Sequence, residues 1–132
     1  MAFLIHAIDG RPDAAIEYHP AGTITPQIGM MLTMNSSGQL TAATGSTKPT
    51  YMSMCERKTA CTPGELIPVV RVLPDTRFET TFSVAAPSVK PGQKVTISSD
   101  GMQVTATTSD GVAEIVDMDD TAAGSACRVR FA

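Results

Sequence analysis

His6 and His19 are the only histidines, and an imidazole is the commonest general base, so they are the first residues to test for chemistry. His19 precedes Pro20 and follows Glu17 by two positions, which allows a carboxylate–histidine pair. A nucleophilic arrangement also needs a Ser or Cys beside that pair, and none is its neighbour in sequence. His6 interrupts an apolar run. Both read as ordinary surface or packing histidines.

Cys55, Cys61 and Cys127 are odd in number, so they cannot all pair within the chain. The spacing of Cys55 and Cys61 is too wide for a zinc knuckle, and four ligands would require Cys127 and a histidine as well. Reduced, partly buried thiols are expected, with Cys127 at an inward strand position. Asp117, Asp119 and Asp120 form the densest acidic cluster. A calcium loop would show alternating ligands, a central Gly and a distal Glu, and Asp-Met-Asp-Asp-Thr shows none of these. It reads as a solvated loop tip. Asp9, Asp13 and Glu17 would need a structured pocket to act as paired carboxylates, and nothing announces one. No glycine cluster follows a strand and opens a helix, as a phosphate loop requires. The sequence thus assigns no catalytic residue, no cofactor and no metal ligand, and the chain is expected not to be an enzyme.

Composition narrows the partners. The chain has 132 residues, 42% hydrophobic and 17% charged, which suits a single folded domain rather than a disordered one. Its formal net charge is −3 and its ten Lys and Arg are scattered, whereas a phosphate-binding surface clusters them. With no Trp, two Tyr and four Phe, stacking platforms for single strands are scarce. Nucleic acid is not an expected partner. The apolar run at the N-terminus stops at Asp9 and has no basic segment before it, so neither a membrane span nor a secretion signal is expected there. A cytosolic product follows from that reading, unless it leaves inside an assembly.

The elements that must carry these residues are strands. Thr, Val, Ile and Ser dominate, and turn residues return roughly every eight to twelve positions, the pattern of an all-β sandwich or barrel. The one helical signal is Arg11 to Tyr18, where Pro12 fits a first turn and Ala14, Ala15 and Ile16 follow. Cys127, Val129 and Phe131 alternate with Arg128 and Arg130, and Val70 and Val72 flank Arg71 in the same way. Each reads as a half-buried antiparallel strand. Glu79 to Val84 is a further strand. Met30, Met31, Met34, Met52 and Met54 read first as flexible core filling.

A weak internal repeat organises the chain. Gly29 to Gly38 matches Gly92 to Gly101, both running from Gly through an apolar-Thr-apolar strand to a polar turn closed by Gly. After one extra residue in the second copy, Leu40–Thr44 matches Val104–Thr108. Pro49–Met52 then falls over Ala113–Val116, and Gly64–Val72 over Gly124–Phe131. The extra residue after Gly101 is expected to be a β-bulge. The fold expected is therefore all-β: a small antiparallel barrel or sandwich of two similar repeats, with an extended N-terminal arm and little helix. Its parts are an arm or edge segment over 1–25 and a β domain over 26–132. Within that domain lie repeat one (29–72), a connector (73–91) and repeat two (92–132).

Ala21-Gly22-Thr23-Ile24-Thr25-Pro26, then Gly29-Met30-Met31-Leu32 and Gly38-Gln39-Leu40, together with Lys48 to Met54 leading to Ile67 to Val72, carry a resemblance. In overall pattern, across residues 21–131, the chain resembles the head decoration, or capsid cement, proteins of tailed bacteriophages and prophages of Gram-positive bacteria. The resemblance implies a structural virion protein on the capsid surface, made in the host cytoplasm. Its partner would be the major capsid protein, and it would often act as a homo-trimer that stabilises the expanded head. The family has no catalytic residues to carry over. On this reading the N-terminal arm grips the capsid, and removing residues 2–18 leaves the β domain folded. The alternative is a non-catalytic β-sandwich binding module of a phage tail or cell surface, taking a carbohydrate or protein ligand. Sugar recognition favours exposed aromatic faces, for which Tyr18 and Tyr51 are a thin supply.

Overall fold

Period-two alternation of apolar and polar side chains governs the chain, and the computed structural model describes residues 2–10 and 14–132 as strands and turns without helix. In chain order the strands are β1 (Leu4–Ile8), β2 (Ile16–Pro20), β3 (Met31–Met34), β4 (Leu40–Ala42) and β5 (Tyr51–Ser53). They continue with β6 (Leu66–Arg71), β7 (Thr76–Thr81), β8 (Lys94–Val95), β9 (Ala113–Met118) and β10 (Ala126–Arg130). Two antiparallel sheets result, ordered β1-β7-β10-β9-β8 and β2-β6-β5-β3-β4. Neither closes on itself. The architecture is a sandwich, not a barrel.

Each copy of the repeat builds one sheet. β3, β5 and β6 of the first copy stand side by side, as do β8, β9 and β10 of the second. The likeness extends further back than the sequence alignment does. β2 flanks β6 as β7 flanks β10, and the residue following each makes a matching parallel bridge, Ala21 to Leu40 and Phe82 to Val104. Backbone bonds repeat as well: Gly64 N–H donates to Ala21 O and Gly124 N–H to Phe82 O, both at 2.8 Å. Met30 N–H donates to Gln27 O and Gln93 N–H to Lys90 O, both at 3.1 Å. The unit common to both sheets is therefore four-stranded, β2-β6-β5-β3 and β7-β10-β9-β8, with β4 answered in the second copy by the bridge at Val104, and its first strand lies in the segments read from sequence as arm and connector.

Three expectations change. Of the helical stretch Arg11–Tyr18, residues 11–13 fall outside the described residues, and Ile16–Tyr18 are strand. Pairing of β2 with Leu66–Val70 of β6 satisfies the backbone groups on one side of it and fixes it as a strand, where two isolated helical turns would be marginal. The residue added after Gly101 is Met102, and it lengthens the hairpin loop instead of bulging a strand. Asn35 closes its turn by a bond to Gln39, whereas Ser98 closes on Gln103. The bulges lie elsewhere, in β1 between Ile5 and Ala7 and where β9 meets β10. Finally, the N-terminal segment, read as an arm or an edge, supplies an edge strand to each sheet, and residues 2–18 are not dispensable to the fold. Phe3 is fully buried against Phe78 and Phe131, with ring centroids 6.4 and 5.9 Å away, so loss of residues 2–18 removes part of the core.

The main core lies between the sheets, where Met31, Met52 and Val70 meet Phe78, Ile115, Val129 and Phe131. The second sheet is covered on its other face too. Leu32, Tyr51, Ile67 and Val69 pack with Ala21 and Cys61 beneath two loops tied together by Cys61 N–H to Ile24 O, at 2.7 Å, and Arg57 N–H to Pro26 O, at 3.0 Å. This explains why Val69 and Val70 are both buried although they point to opposite faces. Cys127, Val129 and Phe131 do alternate inward as their pattern predicts. Met30, Met31 and Met52 are core side chains.

Candidate functional site

Two polar clusters stand out, and each is assembled by strand pairing. The first lies at the edge of the second sheet. The register sets Glu17 beside Val69, His19 beside Ile67 and Tyr51 beside Arg71, so Glu17, His19, Tyr51 and Arg71 share one face. Arg71 donates from Nε to Glu17 Oε2 at 3.1 Å and from Nη2 to Glu17 Oε1 at 2.9 Å. Its Nη2 also lies 3.3 Å from the Tyr51 hydroxyl, and its guanidinium carbon sits 5.0 Å from that ring's centroid. His19 Nε2 is 2.9 Å from Glu17 Oε1, and its ring packs on Tyr51 with centroids 4.6 Å apart. The Arg71 hydrogen bonds, then that of His19, hold the Glu17 carboxyl below its ordinary range, and the same carboxylate raises the Arg71 guanidinium. Chemically, this arrangement is an ion held by three strands. It ties the edge strand β2 to β6 and β5.

The second cluster lies on the outer face of the first sheet. Arg128 on β10 donates from Nη1 to Glu79 Oε1 at 3.3 Å, from Nη2 to Asp119 Oδ1 at 2.7 Å, and from Nε to Asp117 Oδ1. These bonds, that to Asp119 foremost, raise its pKa further above the ordinary guanidinium range. Arg130 pairs with Glu114 at 3.0 Å, and Arg77 with Asp9 at 3.3 Å. The acidic cluster at 117–120 is thus only partly the solvated tip that sequence suggests. Asp117 and Asp119 are ligands of Arg128, and Asp120 accepts from Thr121 N–H at 2.7 Å.

The remaining candidates are spread through the fold. His6 is exposed on β1, far in sequence pairing from His19, which lies in the other sheet. Asp13 lies outside the described residues. Cys61 and Cys127 are buried and Cys55 half-buried, all three as free thiols; burial raises Cys61 and pushes Cys127 up to about 12. Tyr51 is buried, which leaves Tyr18 as the exposed tyrosine. Among the described residues there is no pocket and no group of three His, Cys, Asp or Glu placed to hold a metal. No helix among the described residues is long and apolar enough to cross a membrane.

Sequence reasoning found the Glu17–His19 pair but missed Arg71 and Tyr51 as its partners, and Arg128 as the centre of the second cluster. Glu17 and Arg71 are 54 positions apart, a separation that only the register of β2 on β6 makes meaningful. What the fold and these clusters define is a class: a small antiparallel β-sandwich of two five-stranded sheets, each containing one copy of a like unit. No protein-family model matches the chain, and neither does any curated protein.

Proposed function

We propose that this protein is a structural component of a phage virion that binds the outer surface of the capsid and stabilises the expanded head, without catalysis. The observation that carries the reading is where its ordered polar side chains lie. The Glu79–Asp117–Asp119–Arg128 set occupies the outer face of the first sheet, a broad surface suited to another protein and not to a small substrate. The sequence pattern over residues 21–131 supports the same reading. The major capsid protein is the partner, and a trimer at three-fold positions is the working assembly. Affinity then comes from many modest contacts multiplied over the lattice, since linked sites raise effective concentration without strong individual ones.

Cosedimentation with purified heads tests this. The protein is expected to pellet with expanded capsids and to remain in the supernatant with unexpanded proheads. Failure to bind expanded capsids overturns the proposal. Retention of the same preparation on a glycan array would replace it with a carbohydrate-binding module.

A further inference from the structure

The two like units differ at one edge. β7, the first strand of the second unit, is covered by β1, while β2, its counterpart in the first unit, ends its sheet. The direction of β2 is fixed by Ala21, whose N–H donates to Glu65 O at 2.8 Å. Odd-numbered residues of this strand therefore turn their backbone groups toward β6, and Ile16, Tyr18 and Pro20 turn theirs outward. Natural edges are usually blunted by charge or irregularity. This one is blunted by Pro20 only at its end, and its outward positions are apolar and open: Ile16 and Tyr18 are 55% and 63% exposed and the neighbouring Leu66 is 59% exposed.

We propose that the free edge of β2 pairs antiparallel with β2 of a second copy of this chain, about a two-fold axis through Tyr18. The inference goes beyond the capsid reading and does not depend on it. Charge selects the occupant and the register. With Tyr18 opposite Tyr18 of the second copy, Glu17 faces His19 in both directions, in the closer, non-hydrogen-bonded type of pair. A slip of two residues one way sets Glu17 against Glu17, and the other way sets His19 against His19. Only the central register is complementary.

That register also uses the backbone and the apolar face. The Tyr18 residues exchange two N–H···O bonds, and each Ile16 N–H reaches the Pro20 carbonyl across the axis. Pro20, with no N–H of its own, ends the ladder there. On the other face, Pro68–Tyr18 of one copy continues into Tyr18–Pro68 of the next. The flanking rows join Val70 and Ile16 to Pro20 and Leu66, by the register of β2 on β6. Three of the six exposed large apolar side chains among the described residues lie in these rows, which is why this edge, and not another, is the one assigned.

Oxidative cross-linking reads the register directly. Opposed Tyr18 positions have Cα atoms about 5.5 Å apart, within disulfide reach, whereas Ile16 lies about 13 Å along the strand from its own copy. Tyr18→Cys is expected to form a reducible covalent dimer on mild oxidation, and Ile16→Cys is not. Light scattering is expected to show an assembly containing pairs of chains, and Tyr18→Pro, which removes an outward N–H and leaves the bonds to β6 intact, to halve its mass. A monomeric wild-type chain overturns the inference. So does a trimer whose mass Tyr18→Pro leaves unchanged, or equal cross-linking at positions 16 and 18. Capsid binding is scored separately, so either result stands without the other.

Discussion

Arg71 on β6 holds both oxygens of Glu17 on β2, Nε to Oε2 at 3.1 Å and Nη2 to Oε1 at 2.9 Å, across 54 positions of sequence. Two parallel bonds of this kind fix orientation as well as distance. The pair is what joins the edge strand to the sheet on the polar side, as Tyr51 and His19 complete the contact.

Because the Glu17 carboxyl is lowered from its ordinary value of 4.5, it favours the folded state in its charged form. That contribution is complete above pH 4.5 and is lost as the pH falls through the lower value in the folded protein. Both side chains are partly exposed, so water screens the pair, and about 0.5 kcal/mol is expected from it. Glu17→Gln should therefore lower the urea midpoint at pH 7. The gap from wild type should close on acidification below pH 4.5. A gap that widens in acid would contradict the assignment.

Phe3 anchors the N-terminal strand in the aromatic group of Phe78 and Phe131. Truncating a fully buried Phe removes its transfer free energy and leaves a cavity, about 3–5 kcal/mol together. Phe3→Ala is expected to lose that much in equilibrium denaturation, while Leu4→Ala, whose side chain is half-exposed, should lose well under half of it. Equal losses would mean that β1 is anchored some other way.

Gly29 and Gly38 separate backbone strain from lack of space. Both have positive φ, +86° and +74°. A Cβ at Gly38 meets nothing, whereas at Gly29 it would press into the carbonyl oxygen of Phe3 and lie 2.7 Å from the Ala2 Cβ. Gly38→Ala should cost only the left-handed backbone term, about 1–2 kcal/mol. Gly29→Ala should cost more, since it also displaces the chain leading into β1. Matching thermal midpoints for the two variants would refute the close approach.

The glycines also show what was legible in sequence. Gly29, Gly38 and Gly64 align with Gly92, Gly101 and Gly124, and all six adopt positive φ, so the repeat was readable wherever a turn demanded glycine. Alternation of Cys127, Val129 and Phe131 with Arg128 and Arg130 gave the inward and outward faces correctly. β2 was hidden although Ile-Glu-Tyr-His alternates, because four positions are too few to separate a strand from a helical turn, and Pro12, Ala14 and Ala15 before it read as a helix start. The two polar clusters were hidden for a different reason. Each joins strands distant in sequence, and a register that no local pattern specifies brings them together.

Arg128 supplies the last prediction. Its side chain is 15% exposed, while those of its partners Glu79, Asp117 and Asp119 are 32%, 53% and 61% exposed. Removing it leaves three carboxylates on one small area of the sheet with no cation among them. Between the limits for surface and buried pairs, Arg128→Ala should cost about 1–2 kcal/mol at low salt. Added salt shortens the screening length from about 10 Å at 0.1 M to about 3 Å at 1 M, so part of that loss should be recovered. Arg128→Lys should restore charge but not the three-way fork formed by Nε, Nη1 and Nη2, and should rescue only part of the stability. Urea titrations of the three proteins at both salt concentrations measure this, and full rescue by Lys would mean that charge alone, not guanidinium geometry, holds Glu79, Asp117 and Asp119 in place.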